Sequence, residues 1–180
     1  PFNALLSQTD HCFLLAADEA FKNALILVME QEDCQKSLPD SITNRFVKGQ
    51  HFLLRGRAQH NIGQAFVEQS KCKFLVNEGN RKLKQRLLKK ASKEFADSLN
   101  SANLCRGNTT AIYGHVDAEV IDSDSDCTWT SSAMRQSFEA SKLVSLTSRW
   151  YGICLWELGE IEKAESTFCG TADLSDYLNF

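Results

Sequence analysis

Residues 146–172 read LTSRWYGICLWELGEIEKAESTFCGTA, and this stretch decides the fold. Trp150, Tyr151, Cys154, Leu155 and Leu158 fall at the three- and four-residue steps of a helix with one apolar side. Gly159 interrupts that run, and Ile161, Ala164 and Phe168 open a second one. Two amphipathic helices joined by so short a turn bury their apolar sides against each other as an antiparallel pair. Ala164 is small enough to let the partner helix come close, and Phe168, one turn later, fills the groove beside it.

Working outward, the second half of this unit recurs. Ala17-Phe21-Ala24-Leu25 and Ala91-Phe95-Ser98-Leu99 repeat the pattern of Ala164-Phe168-Thr171-Ala172. The helix before it recurs as well. Ile62-Gly63-Gln64-Ala65-Phe66 matches Tyr151-Gly152-Ile153-Cys154-Leu155 position for position. Periodicity predicts helices over about 10–32, 41–76, 81–104, 131–158 and 160–177, with Asp40 or Ser41 capping the second. Gly49, Gly56 and Gly63 recur every seven residues, along one face of that second helix. Each costs about 1 kcal/mol of helix propensity relative to Ala, so a neighbouring helix pressed against the stripe is the expected compensation. Across 106–130 the periodicity breaks. Gly107, Gly114, many Ser and Thr and an acidic run predict a long mobile acidic loop there, with residues 111–113 the one candidate strand.

These motifs resemble the tetratricopeptide repeat, whose helix A carries Leu-Gly-x-Ala-Tyr and whose helix B, after a glycine turn, carries Ala-x-x-x-Phe-x-x-Ala-Leu. Gly152, Leu155, Gly159, Ile161, Ala164 and Phe168 fall in step without a gap. Residues 59–99 fit with about sixteen extra residues between the halves, and 10–28 offers helix B alone, so the likeness is degenerate. It implies an all-α fold over 1–180, with antiparallel helix hairpins stacked as a right-handed α-solenoid fragment; a generic antiparallel helical bundle is the alternative. It also implies a non-catalytic protein–protein interaction scaffold or adaptor. Partners would be other proteins or peptide segments held in a groove lined by helices A. The matching groove positions are Arg57, His60, Asn61, Gln64 and Glu68 in one unit, and Arg149, Trp150, Ile153, Trp156 and Glu157 in the next. Trp150, Ile153 and Trp156, three residues apart, form a candidate apolar docking strip. The Lys/Asn clamp with which some family members hold a C-terminal carboxylate is not reproduced.

Composition narrows the class further. With 43% hydrophobic residues and 2 prolines, the chain can build a buried core and is neither disordered nor Pro-rich. A net charge of −3 provides no basic field for nucleic acid. The 7 cysteines are odd in number, widely spaced and lack any C-x-x-C pair, which excludes zinc ribbons and redox dithiols. Cys154 and Cys169 read as small core residues, and free thiols in that number point to an intracellular, cytoplasmic setting. No apolar run approaches the roughly 20 residues of a membrane span. Pro1 in first position leads to the expectation of a segment of a larger protein.

Catalytic motifs are missing: no H-E-x-x-H, G-x-S-x-G, phosphate loop or G-x-G-x-x-G occurs, so no catalytic residue, cofactor or metal is expected. His51 and His60 share a helix but stand on opposite faces. Asp122, Asp124 and Asp126 have calcium-loop spacing, yet Cys127 and Ala133 stand where that loop needs Gly and Glu. The serines between these acids are candidate acidophilic-kinase targets. Arg81, Lys82, Lys84, Arg86, Lys89, Lys90 and Lys93 form a basic patch on a helix whose other side is apolar. That patch supports an alternative function, peripheral membrane or acidic-ligand binding, with anionic lipid as partner. No aromatics interleave it for stacking on bases.

Overall fold

The computed structural model describes the backbone of residues 2–35, 41–72, 81–116 and 124–178, and the side chains of 12–30, 41–72, 81–112 and 130–170. Its elements are five helices: α1 (Phe2–Gln35), α2 (Ile42–Lys71), α3 (Arg81–Val116), α4 (Asp124–Leu158) and α5 (Ile161–Leu178). The fold is all-α, and no strand occurs among the described residues. Ser41 caps α2, its hydroxyl accepting from the Asn44 amide at 3.2 Å. Gly159 ends α4 with φ +83°. In that left-handed turn the Gly159 and Glu160 amides return to the Trp156 and Leu155 carbonyls, at 3.0 and 2.9 Å.

The long loop expected at 106–130 is largely helix. Residues 106–116 continue α3, and 124–130 begin α4. Residues 111–113, the candidate strand, lie inside α3. The polar residues that broke the hydrophobic pattern are satisfied within the helix. Asn108 donates to the Leu104 carbonyl, and the Thr109 and Thr110 hydroxyls donate to that of Arg106. Cys105, Thr109 and Ile112 are fully buried and extend the stripe of Ala91, Phe95, Ser98 and Ala102. The side chains of the acidic run at 117–126, including its candidate phosphorylation serines, lie outside the described residues.

Each helix packs on the next in chain order, and α2 also reaches α4. Among the described residues no backbone approach joins α1 to α3 or α3 to α5. Positions rise along α2 as they fall along α3, from Gly56 beside Ser101 to Gly63 beside Phe95, so these two helices are antiparallel. Gly49 meets Gln136 and Gly56 meets Leu143, so α2 and α4 run parallel. Two apolar clusters result. One joins Ile62, Phe66 and Val67 of α2 to Leu87, Leu88, Ala91 and Phe95 of α3 and Cys154 of α4, with Phe21 and Leu25 of α1 against it. The other joins Leu53 of α2 to Ala102 and Cys105 of α3 and to Ala140, Leu143 and Val144 of α4.

The glycine stripe of α2 is the close-approach surface that its spacing predicts. A Cβ on Gly63 would lie 2.6 Å from the Phe95 ring, and one on Gly56 would lie 2.9 Å from Leu143. Gly152 of α4 repeats the arrangement, since a Cβ there would lie 2.5 Å from the Phe168 ring. Phe95 is fully buried and cannot give way, whereas Phe168 is 36% exposed and can. Gly107 contrasts with both: a Cβ there would meet nothing within 4 Å. Gly63→Ala should therefore destabilise by about 1–3 kcal/mol through overpacking, despite its propensity gain. Gly107→Ala in the same background should stabilise by about 0.5–1 kcal/mol. Urea midpoints of the two variants moving in the same direction would contradict this packing.

Candidate functional site

The parallel contact of α2 with α4 creates a seam, and the seam holds the buried polar groups of the molecule's centre. His60 of α2 is 3% exposed. Its Nδ1 lies 2.9 Å from the Thr147 hydroxyl of α4, which lies 3.4 Å from the Ser98 hydroxyl of α3. Ser98 in turn donates to the Gly56 carbonyl at 2.7 Å. Ser98 spends its proton on that carbonyl, so the consistent direction runs from His60 Nδ1–H to Thr147, to Ser98, to Gly56. This assigns the Nδ1-protonated tautomer and leaves Nε2, which has no partner, as a buried acceptor. Several turns earlier along α2, Gln136 donates to the Phe46 carbonyl at 3.2 Å, while beside the chain Ser101 donates to Gln59 at 2.8 Å. Three helices are thereby tied at one level.

Burial without a charge partner lowers the His60 pKa from 6.5 to about 4. The folded state binds His60 neutral while the unfolded chain takes up a proton below pH 6.5. Stability is therefore lost as pH falls from about 6.5 to about 4, by an amount on the order of 3 kcal/mol. Glu94 acts in the opposite sense, because its burial raises the carboxyl pKa. The His60 contribution is isolated by comparing urea midpoints of the wild type and His60→Gln across this window. The wild type should lose stability more steeply on acidification, and parallel profiles would refute the assignment. Burial also pushes the Cys105 thiol up to about 11 and that of Cys154 up to about 12, so both are inert core thiols. Cys169, expected in the core, is exposed; on α5 it lies on the side away from Ala164, which is fully buried.

Two clefts open along the seam, on either side of an ion pair between Arg57 and Glu139 at 2.7 Å. One, of about 460 Å³, is lined by Phe46, Gln50, Leu53, Ser132, Arg135 and Gln136 together with that pair. The other, of about 280 Å³, is lined by the pair with His60, Asn61, Lys142, Leu143 and Leu146. Of the groove positions read from sequence, Arg57, His60 and Asn61 meet in the second cleft. His60 contributes from beneath rather than as an exposed contact. Gln64, Arg149, Trp150, Ile153 and Trp156 line neither cleft. The offset that sets Thr147 opposite His60 carries α2 along α4 to its end, where Cys154 joins the cluster of Ile62, Phe66 and Val67.

Trp150 turns inward. It stacks on Phe95 with ring centroids 6.5 Å apart, and the Lys71 ammonium sits over its ring. Ile153 and Trp156 stay outside, 36% and 55% exposed, and Leu146 at 48% links them to the cleft. The strip read as Trp150–Ile153–Trp156 is thus corrected to Leu146, Ile153 and Trp156, with Arg149 exposed beside it. Glu68 and Glu157 are paired with Lys71 and Lys84. Sequence reasoning missed Glu139, Lys142 and Leu146. The register that aligns Gly63 with Gly152 places Leu146 where α2 has Arg57, and that was the one available signal.

The basic patch divides. Lys84 turns to Glu157, and Lys90 sits over the Phe66 ring. Arg81, Lys82, Arg86, Lys89 and Lys93 point outward, the last four along one stripe. Leu87, Leu88, Ala91 and Phe95, the apolar side of this helix, are buried in the core. Among the described residues no group of three or more His, Cys, Asp or Glu side chains is placed to hold a metal ion, and no helix is long and apolar enough to cross a membrane. No family model matches the chain, and no curated protein or solved structure matches it significantly.

Proposed function

We infer that the chain is a non-catalytic protein–protein interaction scaffold of the tetratricopeptide-like kind, with α2 and α4 as helices A, α3 and α5 as helices B, and α1 as a further helix B. Two features support the arrangement. The Gly63–Phe95 contact of α2 with α3 recurs as Gly152–Phe168 between α4 and α5. Among the described residues helices A touch one another while helices B do not, as in a stack that curves about its helix A side. The observation that carries the functional reading is the exposed line Leu146, Ile153 and Trp156 leading out of the Arg57–Glu139 cleft. Its chemistry suits a peptide segment with aliphatic or aromatic anchors and a carboxylate for Arg149.

A random peptide library selected against the immobilised chain tests this. Enriched peptides should lose at least about tenfold in affinity for Trp156→Ala and for Leu146→Glu, equivalent to about 1.4 kcal/mol. Both positions are exposed, so circular dichroism should report an unchanged helix content. Peptides that bind both variants as tightly as wild type would overturn the reading.

One observation favours a second reading. No carboxylate among the described residues forms an ion pair with Lys82, Arg86, Lys89 or Lys93. With the apolar side of α3 in the core, adsorption to an anionic surface would be electrostatic alone, worth about 1 kcal/mol per cation near the lipid. Cosedimentation with phosphatidylserine vesicles should then vanish on raising salt and in a Lys89→Glu/Lys93→Glu variant. Equal binding to neutral vesicles would exclude it.

A further inference from the structure

We propose that the cleft between the first turns of α2 and the second half of α3 is a separate binding site, and that it takes an acidic peptide in extended form. The cleft has a volume of about 500 Å³. Arg45 and Lys48 line it from α2, and Asn100, Asn103 and Asn108 line it from α3. Among the described residues no carboxylate lines it, although acids outnumber bases in the chain, 23 to 20. Within the described structure the Lys48 ammonium forms no ion pair, and the Asn100 and Asn103 amides form no hydrogen bond. Asn108 donates to the Leu104 carbonyl, which leaves its own side-chain oxygen to accept. Gly107, which also lines the cleft, is a second and independent sign. It sits inside α3, where glycine weakens a helix. Gly56 and Gly63 are compensated by the neighbours that press on them, but a Cβ on Gly107 would meet nothing within 4 Å. The space that a side chain would fill there is part of the cleft, and a ligand lying against the α3 backbone supplies the missing compensation.

Shape and chemistry identify the occupant. From Asn100 to Ala111 the cleft follows α3 over about 16 Å, at roughly 1.5 Å per residue. An extended peptide, rising about 3.3 Å per residue, covers that length with about five residues. A guanidinium and an ammonium with no facing carboxylate select an anionic ligand, and Arg45 can take a carboxylate through two parallel hydrogen bonds. Side-chain amides carry both a donor and an acceptor, which is what the N–H and C=O groups of an extended backbone require. No aromatic ring lines the cleft to stack on a base, so a nucleotide fits it poorly. The cleft shares no lining residue with the two clefts of the α2–α4 seam. It also lies away from the basic stripe at Lys82, Arg86, Lys89 and Lys93, in the other half of α3. Failure of either earlier reading therefore leaves this one standing, and the reverse holds.

Fluorescence anisotropy of a labelled pentaglutamate peptide, titrated with the whole chain at low salt, tests the site. Binding should saturate at one peptide per chain and weaken as salt is raised, and pentaglutamine should not bind. Lys48→Glu and Gly107→Leu should each lower the affinity about tenfold or more. Gly107→Leu fills the cleft at an open, exposed position, so its urea midpoint should stay level or rise while binding is lost. Leu146→Glu and the Lys89→Glu/Lys93→Glu pair should bind the peptide as the wild type does. Absence of saturable binding, or full affinity in Gly107→Leu, would overturn the proposal. Binding lost in Lys89→Glu/Lys93→Glu instead would place the peptide on the basic stripe and overturn it equally. Inorganic phosphate that displaces the peptide at equal concentration would do the same, by showing a site for a compact anion.

Discussion

Neighbouring helices press on α2 where Gly49, Gly56 and Gly63 present no Cβ. The Phe95 ring occupies the space beside Gly63, Leu143 and the α3 backbone share the space beside Gly56, and the Gln136 amide takes that beside Gly49. The stripe therefore serves α3 and α4 together. Close approach on one helix face is what lets two partners contact α2 at once, and it brings α2 and α4 into parallel register. Without it the α2–α4 seam would open, and with it the level at which three helices are tied.

That seam has a dry interior and a wet edge. Inside it, His60, Thr147, Ser98 and the Gly56 carbonyl form a directed hydrogen-bond chain whose groups have little access to water. A buried polar chain of this kind stabilises little in net terms but penalises any register that leaves its members unpaired. It therefore specifies how far α4 slides along α2. At the edge, the Arg57–Glu139 pair is solvent-accessible and adds little stability. Its effect is to divide the seam into two clefts.

Among the described residues, exposed large apolar side chains are most numerous on α1 and α4. α4 exposes Leu146, Ile153 and Trp156, and α1 exposes Phe13 and Leu27. On α2 and α3 one each is exposed, Leu54 and Leu104, and the other large apolar side chains are buried or half-buried.

Much of the helix content was legible in the sequence. The Ala-x-x-x-Phe elements, the glycine turn at Gly159 and the cap at Ser41 are local signals, because helix periodicity and terminus chemistry act within a few residues. The stretch at 106–116 was not legible from hydrophobicity, since Thr109 carries the buried stripe with a hydroxyl that its own helix satisfies. Of the candidate site, the sequence determined the α2 half, Arg57 and Asn61, through their spacing from Gly63. The α4 half depended on tertiary structure: the offset of α4 along α2 set Glu139, Lys142 and Leu146 at the cleft and Trp150 against the core. No local pattern encodes that offset, because it is set by which long-range contacts, at Gly56 and along the His60 chain, are satisfied together.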